Sequence, residues 1–404
     1  MVFESLRSHA LQAAAPLGSG QAVLALGPQR HNSAGLLVDA QWWASPLHGD
    51  LHQASARDAL SASAETLLTL AQRRGWRVVA VAHDPHSPST GLAQQLAHLL
   101  DCPAQPVPHH HAHLAVVQAE QGWRDTQARL GLVLDGMSPG ADGSSWGGEL
   151  LLLKGPQLQR LGHLPALALP GGEEAAQQPW RLAAALLQRL GQGERTEALL
   201  GAQAGTSNAR MVAQMLARKA LSPLPQSTAA QCWLDAVAAL LGLHATPDQT
   251  AAQALEHAAT QWLAQGSPAA QALQAETPPL RGAVALHAPL DLDPLARELL
   301  ALGPNHAGEA AARFQLRLAD ALAQAAHAAA LQHGCHEVLL AGTCFNNPLL
   351  RTRLTQQLQL ASLPTHQPQL QDRTHTALGQ AWTAALQLTP THPRQPQGAR
   401  DCVG

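Results

Sequence analysis

Four histidines in one short run, His109, His110, His111 and His113, with Asp135 farther along, are the residues of this chain best suited to chemistry. A strand-like stretch at 104–107, then Pro108, then the apolar Leu114-Ala115-Val116-Val117 predict that a helix starts at the first of them. On a helix His109 and His113 stand at i and i+4, so both imidazoles leave one face about one turn apart. Two ring nitrogens at that spacing can share a metal ion. The alternative is a surface run, since 22 His make some clustering expected. Asp135 closes the apolar strand Leu130-Gly131-Leu132-Val133-Leu134. A carboxylate there either caps the next turn or projects into a cleft. With His109 and His113 it makes an open metal site that needs one or two further ligands.

A second group of residues has the chemistry of phosphate cradles. Gly140-Ala141-Asp142-Gly143, Trp146-Gly147-Gly148-Glu149 and Leu169-Pro170-Gly171-Gly172 each offer backbone N–H groups that a phosphate oxygen can approach. Gly342, between the strand ending at Leu340-Ala341 and the helix opened by Asn347-Pro348, is a strand–glycine–helix junction suited to a nucleotide or phosphate. Ordinary hairpin turns are the competing reading for each taken singly.

The elements that would position these residues follow from periodicity. Residues 1–19 read as a helical or loose leader. Strands at 21–26, 34–38 and 41–44, a helix at 61–74, a strand at 76–81, a helix at 91–100 and the strand at 104–107 make a first α/β lobe, 20–127. Strands at 128–134, 146–153 and 158–164 open a second lobe, 128–390, in which a helical insertion occupies about 180–285. The α/β pattern then returns with a helix at 314–332, a strand at 337–340 and helices at 348–358 and 376–386. Residues 391–404 form a tail. Two similar halves resemble the duplicated actin/sugar-kinase architecture, in which ligands sit at strand carboxyl ends.

Composition narrows the classes. Hydrophobic residues make up 46% and charged ones 13% of 404 residues, as in a globular chain. A net charge of -3 offers no basic footprint for nucleic acid. Five scattered cysteines without a C-x-x-C pair argue against a disulfide framework and for a reducing cytoplasm. No signal sequence is apparent and no apolar run approaches a membrane span. The expected location is the cytoplasm.

An ordered series of motifs from about Leu24 to Leu386 then carries a resemblance. It runs Leu24-Ala25-Leu26-Gly27, His48-Gly49-Asp50-Leu51, Asp84-Pro85-His86 with Ser89-Thr90, and the 109–113 histidines. Asp135-Gly136, Asp142-Gly143, Trp146-Gly147-Gly148-Glu149, Leu169-Pro170-Gly171-Gly172, Pro179-Trp180-Arg181, residues 235–242, Phe345, Asn347 and Ala377-Leu378-Gly379-Gln380 complete it. In this the chain resembles the C-terminal carbamoyltransferase domain of HypF, a family of NiFe-hydrogenase maturation. The resemblance implies a fold shared with tRNA threonylcarbamoyl transferases and antibiotic O-carbamoyltransferases. It implies a metal held by two His and two Asp ligands against a carbamoyl-adenylate, and delivery of the carbamoyl group to the C-terminal cysteine of HypE. His109, His113 and Asp135 fall on three of those ligand positions.

The departures are as specific. The family's Asp-Gly-Gly before the closing helix reads Asp372-Arg373-Thr374-His375, so the fourth ligand is Asp372 with a one-residue shift, or His375 in its place; Asp372 is preferred. The family's Gly-Gly junction reads Gly342-Thr343, its Lys-Asn reads His31-Asn32, and its Ser-Ser-x-Gly-Arg reads Ser227-Thr228-Ala229-Ala230-Gln231. These changes fall mainly on the nucleotide side. Family members carry acylphosphatase, zinc-finger and adenylate-forming domains ahead of this one, so the expectation is a truncated form. It would act on carbamoyl phosphate, with or without ATP, with Fe or Zn on His109, His113, Asp135 and Asp372. Gly147, Gly148, Gly171, Gly172, Gly342, Asn347 and Asp142 would contact nucleotide or phosphate. HypE is the expected partner, and hydrolysis of carbamoyl phosphate the expected idle reaction. Two rival readings are a non-catalytic subunit that docks HypE and an O-carbamoyltransferase for a small molecule.

Overall fold

In the computed structural model the described residues are 6–30, 32–218, 223–246, 249–276, 278, 280, 289–369 and 375–389. The described residues up to 107, with 118–125 and 375–389, fall into one unit, and those of 108–117 and 126–369 into another. This grouping departs from the partition at residue 127. The first part of the histidine helix goes with the second unit, and the closing helix goes with the first.

The first unit contains β1 (Arg7–Ala10), β2 (Gln21–Ala25), β3 (Gly35–Val38), β4 (Gln41–Ala44), α1 (Ala54–Arg74), β5 (Arg77–His83), α2 (Thr90–Leu99) and β6 (Ala104–Pro106). Its sheet has the order β1-β4-β3-β2-β5-β6. β2, β3 and β4 form an antiparallel meander, and β5 and β6 extend it in parallel from β2. Residues 7–10 are therefore not a loose leader: β1 pairs antiparallel with β4 along the sheet edge. Leu24, Leu36, Leu60, Leu67 and Val81 fill the core between the sheet and its helices. Buried apolar side chains at i, i+4, i+7 and i+11 (Leu60, Ala64, Leu67 and Ala71) make α1 amphipathic.

After α3 (His109–Gln121), the second unit runs through β7 (Ala128–Pro139), β8 (Ser145–Lys154), β9 (Gln157–His163) and β10 (Leu167–Ala168). Then come α4 (Glu174–Gln177), α5 (Pro179–Arg189), α6 (Thr196–Ala204), α7 (Thr206–Ala217), β11 (Gln226–Ser227), α8 (Ala230–Leu240), α9 (Ala251–Ala264), α10 (Pro268–Ala275) and α11 (Asp293–Leu302). The helical segment thus reaches beyond 285. It is followed by α12 (Ala307–His333), β12 (Val338–Ala341), α13 (Pro348–Leu360), β13 (Thr365–His366) and α14 (His375–Leu388), the last grouped with the first unit. There Gln380 accepts a hydrogen bond from the Gly27 N–H at 2.9 Å, and Trp382 is fully buried.

The second sheet repeats the first. β7, β8 and β9 form the antiparallel meander, and β12 and β13 extend it in parallel from β7. A three-stranded meander followed by two parallel strands therefore occurs twice, as the duplicated α/β reading requires. β7 is the pivot of the second sheet. Its 130–134 run is apolar on both faces and buried throughout, as suits a strand covered on both sides.

Candidate metal centre

The site is built in the second unit, where α3 opens beside β7. α3 opens after Pro108, whose fixed φ and missing N–H suit a helix entrance. Its first turn carries His109 and the next carries His113, as the spacing predicts. Leu114, one residue on, lies over Gly131 of β7. A Cβ at Gly131 would stand 2.3 Å from Leu114 Cδ1, so only glycine lets this helix approach the strand so closely.

Asp135 is the first residue of a bulge. Leu134 pairs with Gly148 and Ser138 with Trp146, so Asp135, Gly136 and Met137 of β7 together stand opposite the single Gly147 of β8. Asp135 itself keeps the alternation of the strand, standing on the face of Gly131 that α3 covers, and the surplus follows the last regular pair at Leu134. Gly147, opposite the bulge, has φ +149, and a Cβ there would meet the carbonyl oxygens of Gly136 at 2.3 Å and Asp135 at 2.9 Å.

The three side chains converge. His113 Nε2 lies 3.0 Å from Asp135 Oδ2 and 3.0 Å from His109 Nε2, and His109 Nε2 lies 3.4 Å from Asp135 Oδ2. Bonds of about 2.0–2.2 Å to one ion at tetrahedral or octahedral angles place neighbouring donors about 3.0–3.5 Å apart. The donor set therefore fits a divalent cation, with two imidazole nitrogens and one carboxylate oxygen facing a common point. His113 and Asp135 are buried and His109 is nearly so. Burial pushes the Asp135 carboxyl up, but the His113 charge and hydrogen bonds from both imidazoles outweigh it and hold the group well below the usual carboxylate range. It stays an anion, as a ligand must. His111, between them in sequence, is buried, and burial lowers its pKa to about 4.

The other expected site residues have different surroundings. Asp372 lies outside the described residues. Gly147 and Gly148 both donate their N–H groups to Glu149 Oε1, at 3.1 and 3.3 Å, and Glu149 is itself clamped by Arg160 Nε at 2.6 Å. Their glycine character serves close packing, because a Cβ at Gly148 would meet the Thr228 carbonyl oxygen at 2.4 Å. Asp142 caps the hairpin turn, accepting from Ser144 N–H at 2.9 Å and from Trp146 Nε1 at 2.8 Å. Gly171 and Gly172 form a left-handed turn beside Arg181. Asn347 is the N-cap of α13, accepting from Leu350 N–H at 3.0 Å, and its amide reaches Gln315 at 2.5 Å. Gly342, with φ +101, closes the β12 end against Leu134. Sequence reasoning gave no role at the metal site to Gly131 or Thr343. The cue for the first was a glycine inside an apolar strand; the cue for the second was its place at the end of a strand that could neighbour β7.

A duplicated α/β chain with a His-His-Asp donor set between a helix start and the central strand β7 is the class that fold and site define. Residues 18–120 match the HypF Kae1-like domain, and residues 131–379 match the second subdomain of the carbamoyltransferase Kae1-like domain. The chain belongs to the HypF carbamoyltransferase family. It is 41% identical over 401 residues to a carbamoyltransferase HypF homolog of Cupriavidus necator, covering 95% of this chain and 98% of that one. It is 38% identical to carbamoyltransferase HypF2 of the same organism over 92% of its length, but spans only 47% of that protein. A crystal structure of full-length HypF in the phosphate- and nucleotide-bound form shares the fold, with TM-score 0.75 and 23% identity, over 95% of this chain and 57% of that one. Among the described residues no helix is long and apolar enough to cross a membrane.

Proposed function

We propose that this chain is a metal-dependent carbamoyltransferase of NiFe-hydrogenase maturation, acting in the cytoplasm. It takes the carbamoyl group of carbamoyl phosphate and passes it to the C-terminal cysteine of HypE. The observation that carries this reading is the convergence of His109, His113 and Asp135 within 3.4 Å in a chain of the HypF family. These three, with Asp372 as the fourth ligand, would hold Fe or Zn. Those residues would place a divalent cation whose Lewis acidity would supply polarisation of the carbamoyl oxygen.

The chain's own residues do the positioning. His109 and His113 are held by one helix and Asp135 by the central strand β7, so regular elements position all three donors. In the transfer, the HypE cysteine loses its proton to solvent and the thiolate sulfur attacks the carbamoyl carbon. The C–S bond forms, and the C–O bond to phosphate breaks with its electron pair leaving on phosphate. The chain's described cysteines support an external acceptor. Burial pushes the thiols of Cys102, Cys335 and Cys344 up and that of Cys232 to about 12, so none is a ready thiolate at neutral pH. Glu149's hold on the Gly147 and Gly148 N–H groups favours carbamoyl phosphate as the direct donor over a carbamoyl-adenylate cradled by those glycines.

The test is the full chain loaded with Fe2+ or Zn2+, given carbamoyl phosphate and HypE, with and without ATP. Expected are phosphate release, and addition of one carbamoyl group to the HypE C-terminal cysteine seen by mass spectrometry, both lost in H113A and D135N. Metal-loaded protein that releases no phosphate and leaves HypE unmodified in either condition refutes the proposal.

A further inference from the structure

β7 and β12 are parallel neighbours, with Val133 opposite Ala341, so Asp135 and Thr343, each two residues beyond that pair, come side by side. Asp135 lies within β7, and Gly342-Thr343 follow the last residue of β12. The Thr343 N–H donates to Asp135 Oδ1 at 3.2 Å, and the Thr343 hydroxyl donates to the same oxygen. The oxygen that faces His109 and His113 is the other one, Oδ2. The carboxylate is thus divided between two tasks. The turn that supplies these donors is itself tightly held: Gly342 has φ +101, and a Cβ there would stand 2.3 Å from the Leu134 carbonyl oxygen. The backbone therefore fixes where Thr343 begins, and its side chain needs no long reach.

We propose that Thr343 is a positioning residue of the metal site: its hydroxyl and N–H hold one oxygen of Asp135 so that the carboxylate meets a divalent cation, together with His109 and His113, through Oδ2 alone. A carboxylate free to turn about its Cβ–Cγ bond could swing one oxygen away or offer both to the ion. With Oδ1 committed to two donors, the Oδ2 lone pair stays aimed at the point the imidazoles share. Outer hydrogen bonds of this kind contribute about 10–100-fold to metal affinity. The inference rests on the metal reading and adds to it a residue that touches neither ion nor substrate.

The experiment measures Zn2+ affinity of the metal-stripped full chain by competition with a chromophoric chelator. Thr343→Val and, as a second variant without the hydroxyl, Thr343→Ala should bind Zn2+ about 10-fold or more weakly, whereas Thr343→Ser should stay within about threefold of the parent. Thermal unfolding of the metal-free variants separates this loss from a loss of fold, since a merely structural role would lower the melting temperature without rescue of affinity by Ser. If Val and Ala both bind Zn2+ like the parent, or if Ser fails as they do, the inference is overturned while the metal site stands. If the parent protein itself binds no stoichiometric Zn2+ or Fe2+, and D135N changes nothing, the metal reading falls and this inference with it.

Discussion

Gly131→Ala is the sharpest perturbation the geometry offers, because it acts on the metal centre without touching a ligand. A Cβ at residue 131 would lie 2.3 Å from Leu114 Cδ1, 2.6 Å from Cδ2 and 3.0 Å from Cγ. Ordinary carbon contacts need about 3.5–4.0 Å, so the Leu114 side chain must retreat by about 1–1.5 Å. It is fully buried and has little room to do so. Part of the displacement must pass into α3, whose residue 113 is the neighbouring ligand. Ligand distances tolerate about 0.2 Å, so even a small share of that retreat spoils the donor set. Overpacking of this kind costs about 1–3 kcal/mol. Urea unfolding of the metal-free protein should show that loss, and zinc competition should show affinity weakened about 10-fold or more. Leu114→Ala alone should cost about 2–5 kcal/mol through the cavity it leaves. Combined with Gly131→Ala, it removes the clash, so the pair should cost less than the sum by about 1–3 kcal/mol. Additive losses, or a Gly131→Ala protein with parental stability and zinc affinity, would refute the proposed seating of α3 on β7.

Three further outcomes follow from buried polar groups and a helix cap. Burial raises the Asp235 carboxyl to about 6, against hydrogen bonds from Gln231 and the Ala252 N–H that lower it. A raised folded-state pKa means the native state binds the extra proton, so stability falls as pH climbs from about 4 to about 6. Asp235→Asn can keep both acceptor contacts, and its advantage should grow from nothing near pH 4 to about 3 kcal/mol above pH 7, read by urea titration; an advantage independent of pH would contradict it. Asp320→Ala strands the buried Arg353 guanidinium, now paired at 2.7 and 3.1 Å, and should cost about 3–5 kcal/mol in the same assay. Thr250→Ala removes the capping box shared with Gln253 at the start of α9 and should cost about 1 kcal/mol, with Thr250→Ser close to neutral.

What could be read in the chain beforehand was whatever is local. The i, i+4 histidines follow from one helix, and that helix starts where Pro108 and the apolar run say it should. The apolar 130–134 run announces a central strand, and the recurrence of strands after the helical segment announces a second half. What could not be read depends on partners distant in sequence. β1 takes its identity from an edge that β4 leaves open, with no strong periodicity of its own. Gly147, Gly148 and Gly342 look like phosphate glycines because a close approach of backbone to phosphate and a close approach of backbone to backbone make the same demand on Cβ. Only the register, with the Gly136, Thr228 and Leu134 carbonyls standing where those Cβ atoms would be, separates the two.

The bulge at Asp135 is the clearest case of this limit. In a regular strand, residue 135 would share a face with Val133 and Gly131, and a regular strand is what the apolar run suggests. That inheritance holds, since Gly131 lies under Leu114 and Asp135 meets His109 and His113, all on α3; the surplus after Leu134 is what nothing within residues 130–138 specifies, because a bulge is a relation between two strands. Alternation brings the carboxylate to the face of the imidazoles, while Gly147 on β8 accepts the displaced backbone beside it and Thr343 beyond β12 takes up the oxygen that faces away from them. Two helical ligands are thus encoded within five residues, whereas the third depends on the seating of α3 over β7. Substitutions at residues 147 and 343 should therefore disturb metal binding more than their distance in sequence from any ligand suggests.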